Sequence, residues 1–135
     1  MNGPIATAAV HHFALTVTDV ERSQTFYSEV LGFELVPVPL PGGVLLSNGT
    51  VLLGIRTATD PSQAAAGDRF NENRIGLDHL SFAASSRAGL ERAAEVLDRY
   101  NVPHGDISEA PQYGLVNLFF RDPDNIQLEL SAPLG

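Results

Sequence analysis

The sequence predicts an α+β chain built from two tandem βαβββ modules, and three observations carry that prediction. A strand-helix-strand-strand-strand order occurs twice, on either side of a polar stretch. Matching segments open the two halves: His12-Phe13-Ala14-Leu15-Thr16-Val17 and His79-Leu80-Ser81-Phe82-Ala83-Ala84, with their histidines 67 residues apart. The length of 135 residues suits one compact domain or two small fused modules. The boundaries read as residues 1–56 for the first module, 57–75 for a linker and 76–135 for the second module.

The first module opens with a strand over about residues 9–17. Its alternation sets His12, Ala14 and Thr16 on one face and Phe13, Leu15 and Val17 on the other. His11 falls opposite His12 and reads as a packing residue. A helix follows over about 20–31, with Thr18 and Glu21 as a capping box and Gly32 at its end. Val20, Tyr27, Val30 and Leu31 recur at helical spacing and should face a sheet. Strands near 33–38, 44–47 and 51–55 complete the module, with turns at 39–43 and Asn48-Gly49. Residues 57–74 are polar and read as a linker.

The second module repeats the order. A strand spans about 77–84, with His79, Ser81 and Ala83 opposite Leu80 and Phe82. A helix runs over about 86–100, with Leu90, Ala93, Ala94 and Leu97 on one face. Strands near 104–108, 115–120 and 126–131 follow, the last preceded by an Asp122-Pro123-Asp124-Asn125 turn. In that last strand Gln127, Glu129 and Ser131 oppose Ile126, Leu128 and Leu130. Three strands therefore offer a bulky face for helices and a small polar face holding one metal-ligating side chain: His12, His79 and Glu129. Two imidazoles and a carboxylate on converging strands make an open site for Fe(II) or a similar divalent cation, with Mn(II), Zn(II) and Ni(II) as alternatives. Aligned by strand order, the repeat mate of Glu129 is Gly54.

Composition narrows the function classes. There is no cysteine, hence no disulfide or thiolate chemistry. All eight basic residues are arginine, so Schiff-base chemistry and a lysine phosphate clamp are excluded on this chain. The net charge of −8 argues against nucleic acid and anionic membranes as partners. No apolar run approaches a membrane span, and a cytoplasmic location is the expectation.

His12 to Val20, Phe26 to Phe33, Asp78 to Phe82 and Arg121 to Leu130 together resemble the vicinal oxygen chelate superfamily, over nearly the whole chain. That group includes glyoxalase I, extradiol dioxygenases, fosfomycin-modifying enzymes, methylmalonyl-CoA epimerase and bleomycin-resistance proteins. The resemblance implies two modules pairing their sheets around a cleft, with metal ligands at His12, His79 and Glu129. It also implies a homodimer in which His12 of one chain joins His79 and Glu129 of the other. The linker, about 18 residues long and able to span up to roughly 60 Å, permits pairing within one chain or across two.

Departures from each family's pattern discriminate further. Glyoxalase I and the epimerase resemble this chain but use a fourth protein ligand where Gly54 stands. The fosfomycin enzymes use a lysine and a threonine, and this chain has no lysine and carries Ala14. Extradiol enzymes carry a histidine and a tyrosine ahead of the ligand glutamate. Phe119 stands where the tyrosine would, with Gln112, Tyr113 and Asn117 as the nearest polar groups. Tyr113 and His104 are the acid-base candidates, although His104 after Pro103 also reads as a solvent-exposed loop residue. Arg56 shares the face of Gly54 and suits a substrate carboxylate; Asn117 and Phe119 complete the substrate-binding set. The expected function is a metal-dependent enzyme, dioxygenase-like or a lyase/isomerase, acting on a small molecule that chelates through vicinal oxygens. The alternative is a bleomycin-resistance-type protein that sequesters a drug or metabolite.

Overall fold

The computed structural model describes residues 3–135. Its first half contains β1 (His12–Thr16), α1 (Val20–Glu29), β2 (Glu34–Val36), β3 (Gly43–Ser47) and β4 (Leu52–Arg56). The second half contains β5 (Leu80–Ala83), α2 (Arg87–Arg99), β6 (Ser108–Ala110), β7 (Leu115–Arg121) and β8 (Gln127–Pro133). Each half forms its own four-stranded sheet, in the orders β1-β4-β3-β2 and β5-β8-β7-β6. β1–β4 and β5–β8 are parallel pairs and the remaining pairs are antiparallel. A parallel pair needs a long crossover, which the helix and two intervening strands supply. The architecture is the twice-repeated βαβββ order that the sequence predicts.

Several strand ends depart from the sequence patterns, because pairing sets them. β4 offers five residues to β1, so the chain before His12 has no strand partner. β5 begins at Leu80, opposite Leu128, and His79 stands just ahead of it. The strand expected over 104–108 forms instead at Ser108–Ala110, and His104 keeps only an isolated bridge to Phe120.

The helix-facing sides of both sheets merge into one core. Leu15, Leu46, Leu53 and Ile55 from the first sheet join Val116, Leu118, Phe120 and Leu128 from the second. Tyr27 of α1 and Leu90 and Leu97 of α2 are almost wholly buried against them. Burying one such side chain is worth about 1.5–3 kcal/mol. α2 is capped by Ser86, whose Oγ accepts from Gly89 N–H. For α1 the expected Thr18–Glu21 box does not form. Asp19 caps Arg22 N–H at 3.1 Å, and Thr18 is drawn away by a buried carboxylate.

That carboxylate, Asp124, lies in the turn before β8 and ties the two halves together. It accepts from the Thr18 hydroxyl and backbone N–H and pairs with Arg22 at 3.2 Å. Its neighbour Asp122 accepts from Tyr27 Oη at 2.8 Å and from the N–H groups of Asp124 and Ile126. Burial raises the carboxyl pKa of Asp122 and, more strongly, the phenol pKa of Tyr27, which the Asp122 charge pushes further. Asn125 takes the left-handed conformation that closes this turn, at φ +67°. The segment between the sheets is pinned as well: Phe70 N–H donates to Asp124 O, and Glu72 pairs with Arg121 at 2.7 Å. Among the described residues no helix is long and apolar enough to cross a membrane.

Candidate metal centre

Strand register divides each open sheet face into matching rungs. In the second module Ser81 pairs with Glu129, and Glu129 with Phe119. In the first module Ala14 pairs with Gly54, and Gly54 with Leu45. Each histidine stands two residues before the first member of its rung. Gly54 therefore occupies the position of Glu129, and the first module has no carboxylate there. An ideal Cβ at Gly54 would have its nearest neighbours at 3.8–3.9 Å, which is ordinary contact.

His79 and Glu129 form a prepared pair. His79 Nε2 lies 3.5 Å from Glu129 Oε1. On the other side of the ring, Nδ1 contacts Asp78 Oδ1 at 2.7 Å. A carboxylate accepting from Nδ1–H leaves the Nε2 lone pair free, the tautomer that a metal ligand requires. Glu129 is 7% exposed and accepts from Ser131 Oγ at 3.0 Å, and Ser131 Oγ in turn contacts Ser81 Oγ at 2.7 Å. Phe119 and the His79 ring pack in a T-shaped contact at 5.3 Å between centroids. A carboxylate this buried is costly unless a cation or donors meet it, so this pair has the chemistry of half a cation site. The sequence reading sets Ser81 and Ser131 on the ligand faces and Asp78 in a family motif, but gives none of the three a role in the site. The Asp-His dipeptide and the shared face of Glu129 and Ser131 were the available signals.

His12 stands apart from this pair. It is exposed at the start of β1, with its Nδ1 2.9 Å from Nδ1 of His11. His11 is likewise exposed rather than packed. Among the described residues no three metal-ligating side chains meet within one chain. The structure thus brings together two of the three expected ligands and leaves His12 on the other module's open face.

The remaining candidates divide by face. Arg56 pairs in register with Thr16 and Gly43, on the same face as Gly54. Its Nε is buried without a hydrogen-bond partner, as is Oδ1 of Asn117. His104 is not the solvent-exposed loop residue its context suggests. It bridges to the buried Phe120 on the helix side, with Nε2 2.7 Å from Asp98 Oδ1 and Nδ1 2.7 Å from Gly105 O. Those two contacts, Asp98 first, raise its pKa. Tyr113 ends a short 3-10 turn and is 74% exposed rather than lining a cleft. Neither side chain is hydrogen-bonded to His79 or Glu129. Two concavities of about 530 and 650 Å³ lie against the connecting segment, around Phe70 and Asp68, and contain none of His12, His79 or Glu129.

Comparison with known proteins agrees with this architecture. The chain is similar to the uncharacterized protein YwkD of Bacillus subtilis (strain 168), at 29% identity over 128 residues, covering 90% of this chain and 94% of that one. The fold is shared with a glyoxylase/bleomycin resistance protein/dioxygenase domain from Frankia sp. EAN1pec, with TM-score 0.79 and 29% identity, covering 95% of this chain and 93% of that one. The solved structure of SMU.1112c is also similar, with TM-score 0.75 and 30% identity over 93% of this chain and 99% of that one. Residues 9–130 match the family model of the Glyoxalase/Bleomycin resistance protein/Dioxygenase superfamily. With the repeated βαβββ architecture and a match over nearly its whole length, the chain belongs to that superfamily, the vicinal oxygen chelate group that its sequence resembles.

Proposed function

We propose that this protein is a metal-dependent enzyme acting on a small molecule that chelates through vicinal oxygens. His79 and Glu129 of one copy and His12 of a second copy would hold one divalent cation, Fe(II) foremost, with Mn(II), Zn(II) or Ni(II) as alternatives. The observation that carries this reading is the Asp78–His79–Glu129 arrangement, in which the imidazole and a buried carboxylate face each other at 3.5 Å. Two nitrogen donors and one carboxylate suit a borderline divalent cation and leave open positions. The separation of His12 from the pair within one chain supports an exchanged homodimer. Val10 and Leu77, two residues ahead of the two histidines, are exposed apolar side chains that a second copy would cover.

The chain's own groups have clear tasks in such a site. Asp78 fixes the His79 ring and its tautomer. Ser131 orients the Glu129 carboxylate through its hydroxyl. Phe119 packs on His79 and offers an apolar edge to a substrate. Gly54 supplies no fourth ligand, which leaves room for two substrate oxygens. A bound cation would supply Lewis-acid stabilisation of charge developing on the substrate oxygens. Either a dioxygenase-like reaction or a glyoxalase-like lyase or isomerase reaction fits this donor set. The second reading is sequestration without chemistry. One observation favours it: neither acid-base candidate is hydrogen-bonded to the pair, since His104 is engaged by Asp98 and Tyr113 is 74% exposed.

The test is elemental analysis of protein purified without added metal, followed by assay of catechols and hemithioacetals with each cation restored. The enzyme reading expects about one metal per chain and turnover with one substrate class. A protein that binds no metal, yet binds a peptide antibiotic unchanged, would overturn it.

A further inference from the structure

Among the described residues, two side chains on the open faces have a buried polar atom without a partner: Arg56 at Nε and Asn117 at Oδ1. Register sets both on the corresponding rung of their modules, Arg56 on β4 and Asn117 on β7, the strand beside the counterpart of β4. Glu129 pairs with Phe119, and the next rung on that face pairs Ser131 with Asn117. Gly54 pairs with Ala14, and the next rung pairs Arg56 with Thr16 and Gly43. Each module thus carries one unsatisfied polar side chain a single rung beyond its metal-ligand position. At the strand rise, two residues correspond to about 7 Å.

Arg56 is the informative member of this set. Arg22, Arg74, Arg87 and Arg121 meet carboxylates, and Arg69, Arg92 and Arg99, like Arg56, form no ion pair among the described residues. What sets Arg56 apart from those three is its buried Nε without a hydrogen-bond partner. Arg56 forms no ion pair among the described residues, although the chain carries sixteen acidic residues against eight basic ones. Its flanking rung partners, Thr16 and Gly43, are uncharged. Gly43 is held small by the β4 backbone, since a Cβ there would clash with the Ile55 carbonyl and lie 2.8 Å from the Arg56 Cβ. A guanidinium with a desolvated, unpaired N–H gains strongly from a bidentate oxyanion.

We infer that Arg56 is a specificity-determining residue that binds a remote carboxylate of the substrate, so that the substrate class is a metal-chelating acid with a second anionic end. This rests on the metal-site reading above, because the chelating end is placed by the cation. The two ends must be separated by a few carbons, since the rungs are separated along the strands. A simple 2-hydroxy or 2-oxo acid spends its only carboxylate on the metal and leaves Arg56 unsatisfied. A molecule with a further carboxylate two methylenes away satisfies both. Asn117 adds a neutral polar contact from the equivalent rung of the other module.

The experiment uses full-length protein loaded with Mn(II) and two probes with the same chelating end, 2-oxoglutarate and 2-oxopentanoate. The first ends in a carboxylate and the second in a methyl group. Calorimetry should show 2-oxoglutarate binding at least about tenfold more tightly to the wild type. In Arg56→Gln that preference should collapse, while Mn(II) affinity and melting temperature stay at wild-type values. Arg56→Lys, which keeps the charge and loses the fork, should give an intermediate preference. Equal affinities of the wild type for the two probes, with Mn(II) bound, would overturn the assignment of Arg56. So would a preference that survives Arg56→Gln. A wild type that binds no Mn(II) would instead overturn the metal reading, and this inference with it.

Discussion

Gly54 is the residue at which this chain parts from a four-ligand site, and its environment makes the difference testable. Register sets it where Glu129 stands in the other module. A Cβ there meets Ala14 and Leu40 side chains at ordinary contact distance, so substitution does not force the sheet apart. Gly54→Glu should therefore fold, add a carboxylate to the site and tighten Zn(II) or Mn(II) binding by about tenfold in a competition titration. It should also weaken any chelating ligand by closing a position. At this scale the sequence was informative wherever period-two alternation applied: His79 and Glu129 read as face-sharing residues, and they do meet. It was blind to what orients them. That Asp78 reaches Nδ1 of its neighbour depends on side-chain torsions just ahead of β5, and no spacing rule reports a ring nitrogen's partner.

At the scale of elements, His104 shows how a connection is fixed. Its imidazole links the last turn of α2, through Asp98, to the strand region opposite Phe120. Asp98, and secondarily the Gly105 carbonyl, raise its pKa in the folded protein. The protonated form then stabilises the fold fully below the unfolded value of about 6.5, and that contribution fades as pH rises through the raised folded value. Thermal melts across this window should show a stability loss with rising pH that is absent in His104→Gln. A slope unchanged in the variant would assign the effect to another histidine. Pro103 made His104 look like a loop residue because local sequence cannot show a bridge to Phe120. Strand ends were misjudged for a related reason. Residues before His12 have apolar character but no strand to pair with, since β4 is only five residues long. The Thr18–Glu21 box expected for α1 likewise gives way to an Asp19 cap, because a buried Asp124 more than one hundred residues away claims Thr18.

For the whole molecule, the two sheets bury their helix sides in a common core and turn their open faces outward, with ligands divided between them. The repeat was legible because both modules solve the same packing problem with the same pattern. The division of the ligands was not, because periodicity is silent on how two modules sit against each other. The central claim is that His12 of one copy completes the His79–Glu129 pair of another. Its most direct test is metal binding by a mixture of His12→Ala and Glu129→Ala subunits, after exchange is proven by native mass spectrometry. Each variant alone should lose high-affinity Mn(II) binding. The mixture should regain about one quarter of the wild-type sites, because half the dimers are mixed and each holds one intact site. No recovery despite proven exchange would mean that the site is built within one chain, and wild-type affinity in His12→Ala alone would remove His12 from it.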